Sequence, residues 1–119
     1  MHNISFDYIG VWNEGPWSRK YVVDLREALD ARGFGQTKIV VPDGHSASRS
    51  RCTDCPAGTS TNMVAAIKAD PALRRAIGVL GVHSHLSDGL YPEFPMSAAA
   101  AVEELQVWNS EANLSLIHI

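Results

Sequence analysis

A chain of 119 residues has room for one small domain and not for two. Its 45% hydrophobic and 19% charged residues are those of an ordinary globular segment, and a net charge of −3 argues against a nucleic-acid backbone as partner. No apolar run approaches the roughly 18 residues of a membrane span, and Met1-His2-Asn3-Ile4-Ser5 has neither the basic nor the apolar region of a signal peptide, so no integral membrane segment or leader is expected within it.

Along the chain, Ser5 to Trp12 is rich in β-branched and aromatic residues and runs into Asn13-Glu14-Gly15-Pro16, which predicts a buried strand ending at a turn. Tyr21, Leu25, Ala28, Leu29 and Arg32 then recur at helical spacing, with Ser18 as the N-cap and Gly33 as the left-handed stop. Lys38 to Val41 is a short apolar run bounded by Pro42-Asp43-Gly44 and predicts a second strand. The Ser/Arg/Thr/Gly-rich stretch from Gly44 to Thr61 predicts a long mobile loop. A helix is expected over 62–69, and Asp70-Pro71 caps and opens a short second one. Ile77 to His83 predicts a third strand, Ser97 to Leu105 a helix, and Gln106 to Glu111 a fourth strand.

The order β-α-β-α-β-α-β without hairpin signals, and strands lacking polar alternation, predict a parallel sheet covered on both faces. Two α/β architectures meet this: an open, flavodoxin-like sheet or part of a (β/α)8 TIM barrel. No strand leads into a Gly-rich phosphate loop, which removes the usual support for the open sheet. The chemistry-bearing residues, Asn13 and Glu14, Asp43, His83 and Glu111, fall instead at strand carboxyl ends, where barrel enzymes carry their sites. A barrel of about 250 residues divides into eight units of roughly 31, and Glu14 and Glu111 lie about three units apart.

Two glutamates so placed suit cleavage of a glycosidic bond with retention, which needs carboxyl groups about 5 to 5.5 Å apart. One protonates the departing oxygen and must stay protonated, which calls for an apolar wall and a negative neighbour. Glu14 lies among Trp12, Pro16 and Trp17 and fits that role. The other attacks the anomeric carbon and must be ionised; beside Glu111, Asn109 and Ser110 are the candidate donors that would hold it. The Asn13 amide is placed to bind a sugar 2-hydroxyl. Trp12, Trp17 and Trp108 read as core or cleft wall, and Trp12, next to Asn13, is also a candidate substrate-binding residue.

The stretches Asp7 to Pro16, Leu25 to Leu29, Lys38 to Val40, Ile77 to His83 and Val107 to Glu111 resemble, in order and spacing, family 59 of the glycoside hydrolases, the galactocerebrosidases. The resemblance covers about Ile4 to Glu111. It implies a barrel segment from the fourth to the seventh strand and hydrolysis of the β-galactosyl bond of galactosylceramide. It also implies Glu14 as proton donor, Glu111 as nucleophile, Asn13 as sugar ligand and a pocket place for His83, with no metal or other cofactor and a lysosomal or secreted parent. The family pattern around the nucleophile is Trp-Ser-Ser-Glu-Asp, whereas this chain has Asn109 and Ala112, and Gly15 stands where Arg is common. The stretch 44–61 looks like an insertion.

Cys52 and Cys55 form one Cys-x-x-Cys, open to reading as a small surface disulfide, two ordinary thiols, a redox pair or, with His45, an incomplete metal site. His2, His45 and His85 read as loop or solvent-facing histidines. Leu114 to Ile119 matches the translation of CTG TCT CTT ATA CAC ATC, which resembles a sequencing adaptor, so the catalytic segment is expected to be 1–113. Half a barrel cannot close, and each side of the segment would leave a strand edge. Two further readings compete: another retaining β-glycosidase of the same clan acting on a soluble, plant or microbial glycoside, and a non-catalytic α/β binding module with a Cys/His metal loop.

Overall fold

The structure, a computed structural model, describes residues 4–44, 51–60, 63–85 and 105–113, with the backbone alone described at Val82, Ser84, His85, Asn109 and 111–113. Four strands, β1 (Tyr8–Gly10), β2 (Lys38–Gly44), β3 (Ile77–His85) and β4 (Gln106–Asn113), form one sheet in the order β1-β2-β3-β4. All three pairings are parallel. Each strand neighbours the next in sequence, so the described strands contain no reversal of order of the kind that creates the ligand crevice of an open doubly wound sheet.

Consecutive burial in β2 explains the sheet's setting. Ile39 and Val41 pack into the helix-side core with Leu80, Leu29, Val22, Ile67 and Leu73. Val40 and its register partner Val79 are buried too, yet lie outside that cluster, so the second face of the sheet is also occluded.

Helix α1 (Arg19–Ala31) begins and ends as its sequence dictates. The Ser18 hydroxyl accepts from the Tyr21 N–H, and Gly33 adopts φ 83° just past the Arg32 C-cap. The Gly33 N–H donates to Asp30 O and the Phe34 N–H to Leu29 O, the paired bonds of a Schellman stop. Arg26 fastens the following turn by donating to the carbonyls of Phe34 and Thr37. After α2 (Met63–Ala69), Asp70 caps α3 (Pro71–Ala76) by accepting from the Ala72 and Leu73 amides, with Pro71 at the first helical position. The Arg19 guanidinium also donates to Asp70, tying the start of α1 to the start of α3.

Two expectations are corrected. The first strand holds three residues rather than eight. Before it, only single bonds reach the β2 region, from Thr37 Oγ1 to Phe6 O and from the Lys38 N–H to Asp7 O. After it, Val11 and Trp12 leave the ladder as the chain bends toward the end of β2, where the Glu14 N–H donates to Asp43 O at 2.9 Å. Nor is the stretch after β2 an unattached loop: residues 51–60 are fixed against the core. Trp17, 2% exposed, donates its N–H to Arg51 O and accepts from the Thr53 N–H. Cys52 and Cys55 are joined in a disulfide, and Cys52 is buried in the core cluster rather than lying at the surface. The bond leaves neither sulfur as a thiolate for metal, which removes the Cys/His metal loop. Residues 45–50, the tail 114–119 and all of the helix expected from Ser97 to Leu105 but its last residue lie outside the described residues, and so do His2 and His45; Leu105 is buried and outside any helix.

Inside the disulfide ring, Asp54 faces the start of α1. Its carboxylate accepts from the Arg19 N–H at 2.5 Å, the Lys20 N–H at 2.9 Å and the Ser18 hydroxyl at 2.9 Å. With Ser18 serving Tyr21, the first three helical amides are all satisfied. Partial burial works to raise the Asp54 pKa, but the bonds from Lys20, Ser18 and Arg19 outweigh it and hold the carboxyl below the ordinary aspartate range. The Asp70 carboxyl is likewise held low, first by the Arg19 hydrogen bond, against burial, and then by the Leu73 amide. Both folded pKa values are depressed, so their stabilisation is complete above the unfolded value of about 4 and is lost as pH falls through the folded values. Hydrogen exchange at Arg19, Lys20 and Leu73 should therefore be flat with respect to opening above about pH 4 and accelerate below it. Asp54→Ala should expose the Arg19 and Lys20 amides at neutral pH by about 1 kcal/mol, close to a fivefold rise in exchange, with Leu73 unchanged.

Candidate active site

At the carboxyl end of the sheet, two irregularities in strand register place two polar side chains. Pro42 pairs with Gly81 and Gly44 with Val82, so Asp43 is the extra residue of a bulge in β2. Val82 pairs with Asn109 and His83 with Glu111, so Ser110 is the extra residue of a bulge in β4. A bulge bends its strand and re-aims a side chain that alternation would have sent elsewhere. Here the two extra residues meet: the Ser110 hydroxyl donates to Asp43 Oδ1 at 2.5 Å.

His83 lies between them and Glu14. It is 3% exposed, with Nδ1 at 3.0 Å from Glu14 Oε1 and Nε2 at 3.0 Å from Asp43 Oδ1. Both carboxylates remain partly open to solvent while the imidazole between them is closed off. Glu14 and Asp43 both adopt left-handed backbone conformations, φ 54° and 57°. Each costs about 1–3 kcal/mol for a residue with a side chain, and such conformations cluster at functional sites. The bond from the Glu14 N–H to Asp43 O joins the two strained residues through the backbone as well.

The structure thus brings Glu14 and His83 together, and it carries the backbone of Glu111 to the position opposite His83 on β4; the Glu111 side chain lies outside the described ones. The His85 side chain is likewise undescribed. Asn13 is exposed beside Glu14. Trp12 is half-buried and packs edge-on against Trp17 and Tyr21, with ring centroids 6.5 and 5.2 Å away, so it supports the turn that carries Glu14. Ser110 differs from expectation. Its single hydroxyl proton is given to Asp43 and is not available to hold Glu111.

Sequence reasoning placed Asp43 at a strand end but missed its partnership with His83. The signal was Pro42-Asp43-Gly44, which reads as a strand boundary, whereas the strand continues through it with one residue extruded. Gly81 shows how closely the site is packed beneath. A Cβ there would lie 2.9 Å from Val40 Cγ1, 3.2 Å from Ser110 Oγ and 3.4 Å from Asp43 Cα.

A parallel α/β segment with carboxylates and a buried histidine gathered at the strands' carboxyl ends has the general form of an enzyme site. Comparison with known proteins makes this specific. The family model described as Glycosyl hydrolase family 59 matches residues 1–117, and the chain belongs to that family. Its relatives include the galactocerebrosidase of Danio rerio, 34% identical over 110 residues, and those of Macaca mulatta and Homo sapiens, 28% and 27% identical over the same length. These alignments cover 92% of this chain and 13% of each relative.

Gly81→Ala tests the packing under the site. The added methyl must push on Val40 and on the Asp43–Ser110 pair, so the variant should lose about 1–3 kcal/mol in chemical denaturation. The NMR signals of the His83 ring should move with it.

Proposed function

We propose that this chain is the acid/base-to-nucleophile portion of a retaining β-galactosidase acting on galactosylceramide, covering about strands four to seven of a (β/α)8 barrel. The supporting observation is the placement of Glu14 on a strained turn at the carboxyl end of a parallel sheet, held by buried His83, which itself pairs in register with Glu111. Sequential strand order and a second occluded sheet face favour a closed barrel over an open sheet. The substrate class rests on family membership and on the names of the relatives, galactocerebrosidases. On the same basis the parent protein is lysosomal or secreted and meets a glycolipid; the bound at 113 for the catalytic segment rests instead on the likeness of Leu114 to Ile119 to an adaptor translation.

In this reading Glu14 protonates the departing glycosidic oxygen, and Glu111 attacks the anomeric carbon to form a glycosyl ester. Glu14, now a carboxylate, then takes a proton from the water that releases the sugar. Asn13 binds the sugar 2-hydroxyl, and Trp12, packed on Trp17 and Tyr21, braces the turn that carries Glu14. Retention requires the two carboxyl groups to come about 5 to 5.5 Å apart.

The test is a leaving-group series on the complete protein that carries this chain. Glu14→Gln should lower turnover of galactosylceramide by about 10²-fold or more, while an activated aryl β-galactoside still gives a burst of released phenol, because its departure needs no proton. Glu111→Gln should abolish both, and a 2-fluorogalactosyl inactivator should label Glu111. Labelling of another carboxylate would overturn the assignment.

A further inference from the structure

We propose that Asp43 is a positioning residue that fixes the tautomer of His83, and through it keeps the acid proton on Glu14. The inference rests on Glu14 being the proton donor and adds a residue to which the family comparison assigns no role.

Counting protons leads to it. His83 presents both ring nitrogens to carboxylate oxygens, and each contact requires one proton between its two atoms. Each of these two contacts therefore holds one proton. Asp43 Oδ1 already accepts the Ser110 hydroxyl, and as an acceptor towards the ring as well it takes the Nε2 contact from a proton on the ring. A neutral ring with its hydrogen on Nε2 has a bare Nδ1. The contact to Glu14 Oε1 is then made by a proton on the carboxyl, which leaves Glu14 as the acid. If that proton crosses the 3.0 Å contact, the Oε1–H bond breaks and an Nδ1–H bond forms. Glu14 becomes a carboxylate and His83 an imidazolium, with no change in the number of protons held. Among the described contacts of the ring, the charged groups are Glu14 from the turn after β1 and Asp43 from β2, and Glu111 is its register partner on β4.

The backbone supports the assignment. Asp43 faces His83 only because it is the extruded residue of a bulge held at φ 57°, a costly arrangement for a side chain without a task. Its carbonyl accepts the Glu14 N–H, so the residue that orients the imidazole also orients the backbone of the acid.

In Asp43→Asn the amide is able to donate to Nε2, moving the ring hydrogen to Nδ1, where it favours ionised Glu14. With the complete protein, kcat/KM for galactosylceramide or an alkyl β-galactoside should fall about 10²-fold, while a dinitrophenyl β-galactoside changes little. The alkaline limb of kcat/KM should move to lower pH by about one unit, and labelling of Glu111 should persist. Equal losses on both substrate classes with an unmoved limb would mean a merely structural role and overturn the proposal. Ser110→Ala, which removes one hydroxyl, should shift the limb the same way by a smaller amount; it decides the matter if Asp43→Asn fails to fold, and an unmoved limb there overturns it too. Wild-type and Glu14→Gln controls separate the two levels. If the wild type cleaves no β-galactoside, or Glu14→Gln leaves the leaving-group dependence unchanged, the acid/base reading itself fails and takes this inference with it.

Discussion

The site depends on a mismatch in strand register. A parallel sheet with perfect alternation would send Asp43 and Ser110 along directions set by the pleat, and would leave His83 with whatever lay beside it. One extra residue in β2 and one in β4 bring those two side chains into contact and set Asp43 against the ring. Everything polar at this end of the sheet follows: a closed-off imidazole, two partly open carboxylates and a backbone bond that ties the strained turn of Glu14 to the strained bulge of Asp43. The helices on the other face bury the apolar residues that hold the strands, and the Asp54 and Asp70 carboxylates fix where those helices begin.

Much of this frame was legible in the sequence because its signals are local. Ser18, Gly33 and Asp70-Pro71 act on their own turns, and the structure places α1 and α3 between them. The apolar runs from Lys38 and from Ile77 became the two central parallel strands. Harder to read were features made by pairing. The edge strand β1 is short because the chain is drawn off toward Asp43, a long-range bond that no window around Trp12 reveals. The segment 51–60 is polar in composition, yet it is anchored through Trp17 and a buried cysteine, both invisible to a composition argument.

The candidate site was legible to the same degree. Glu14 and His83 were marked by residue type and strand-end position, and they are in contact. Asp43 carried the same mark, but its role depends on a bulge, and a bulge is a property of two strands together. Ser110 was read as a neighbour of Glu111 along the chain, while its extruded backbone gives its hydroxyl to a residue two strands away. Sequence neighbours and spatial partners part company wherever the ladder slips by one.

The short stretch between Glu14 and Trp17 is pinned at both ends, by the bond to Asp43 O on one side and by Arg51 and Thr53 on the other. Only Gly15 and Pro16 lie between the two anchors. The length of this bridge is therefore frozen: one residue more or less would have to be absorbed by lifting Glu14 off His83 or Trp17 out of the core.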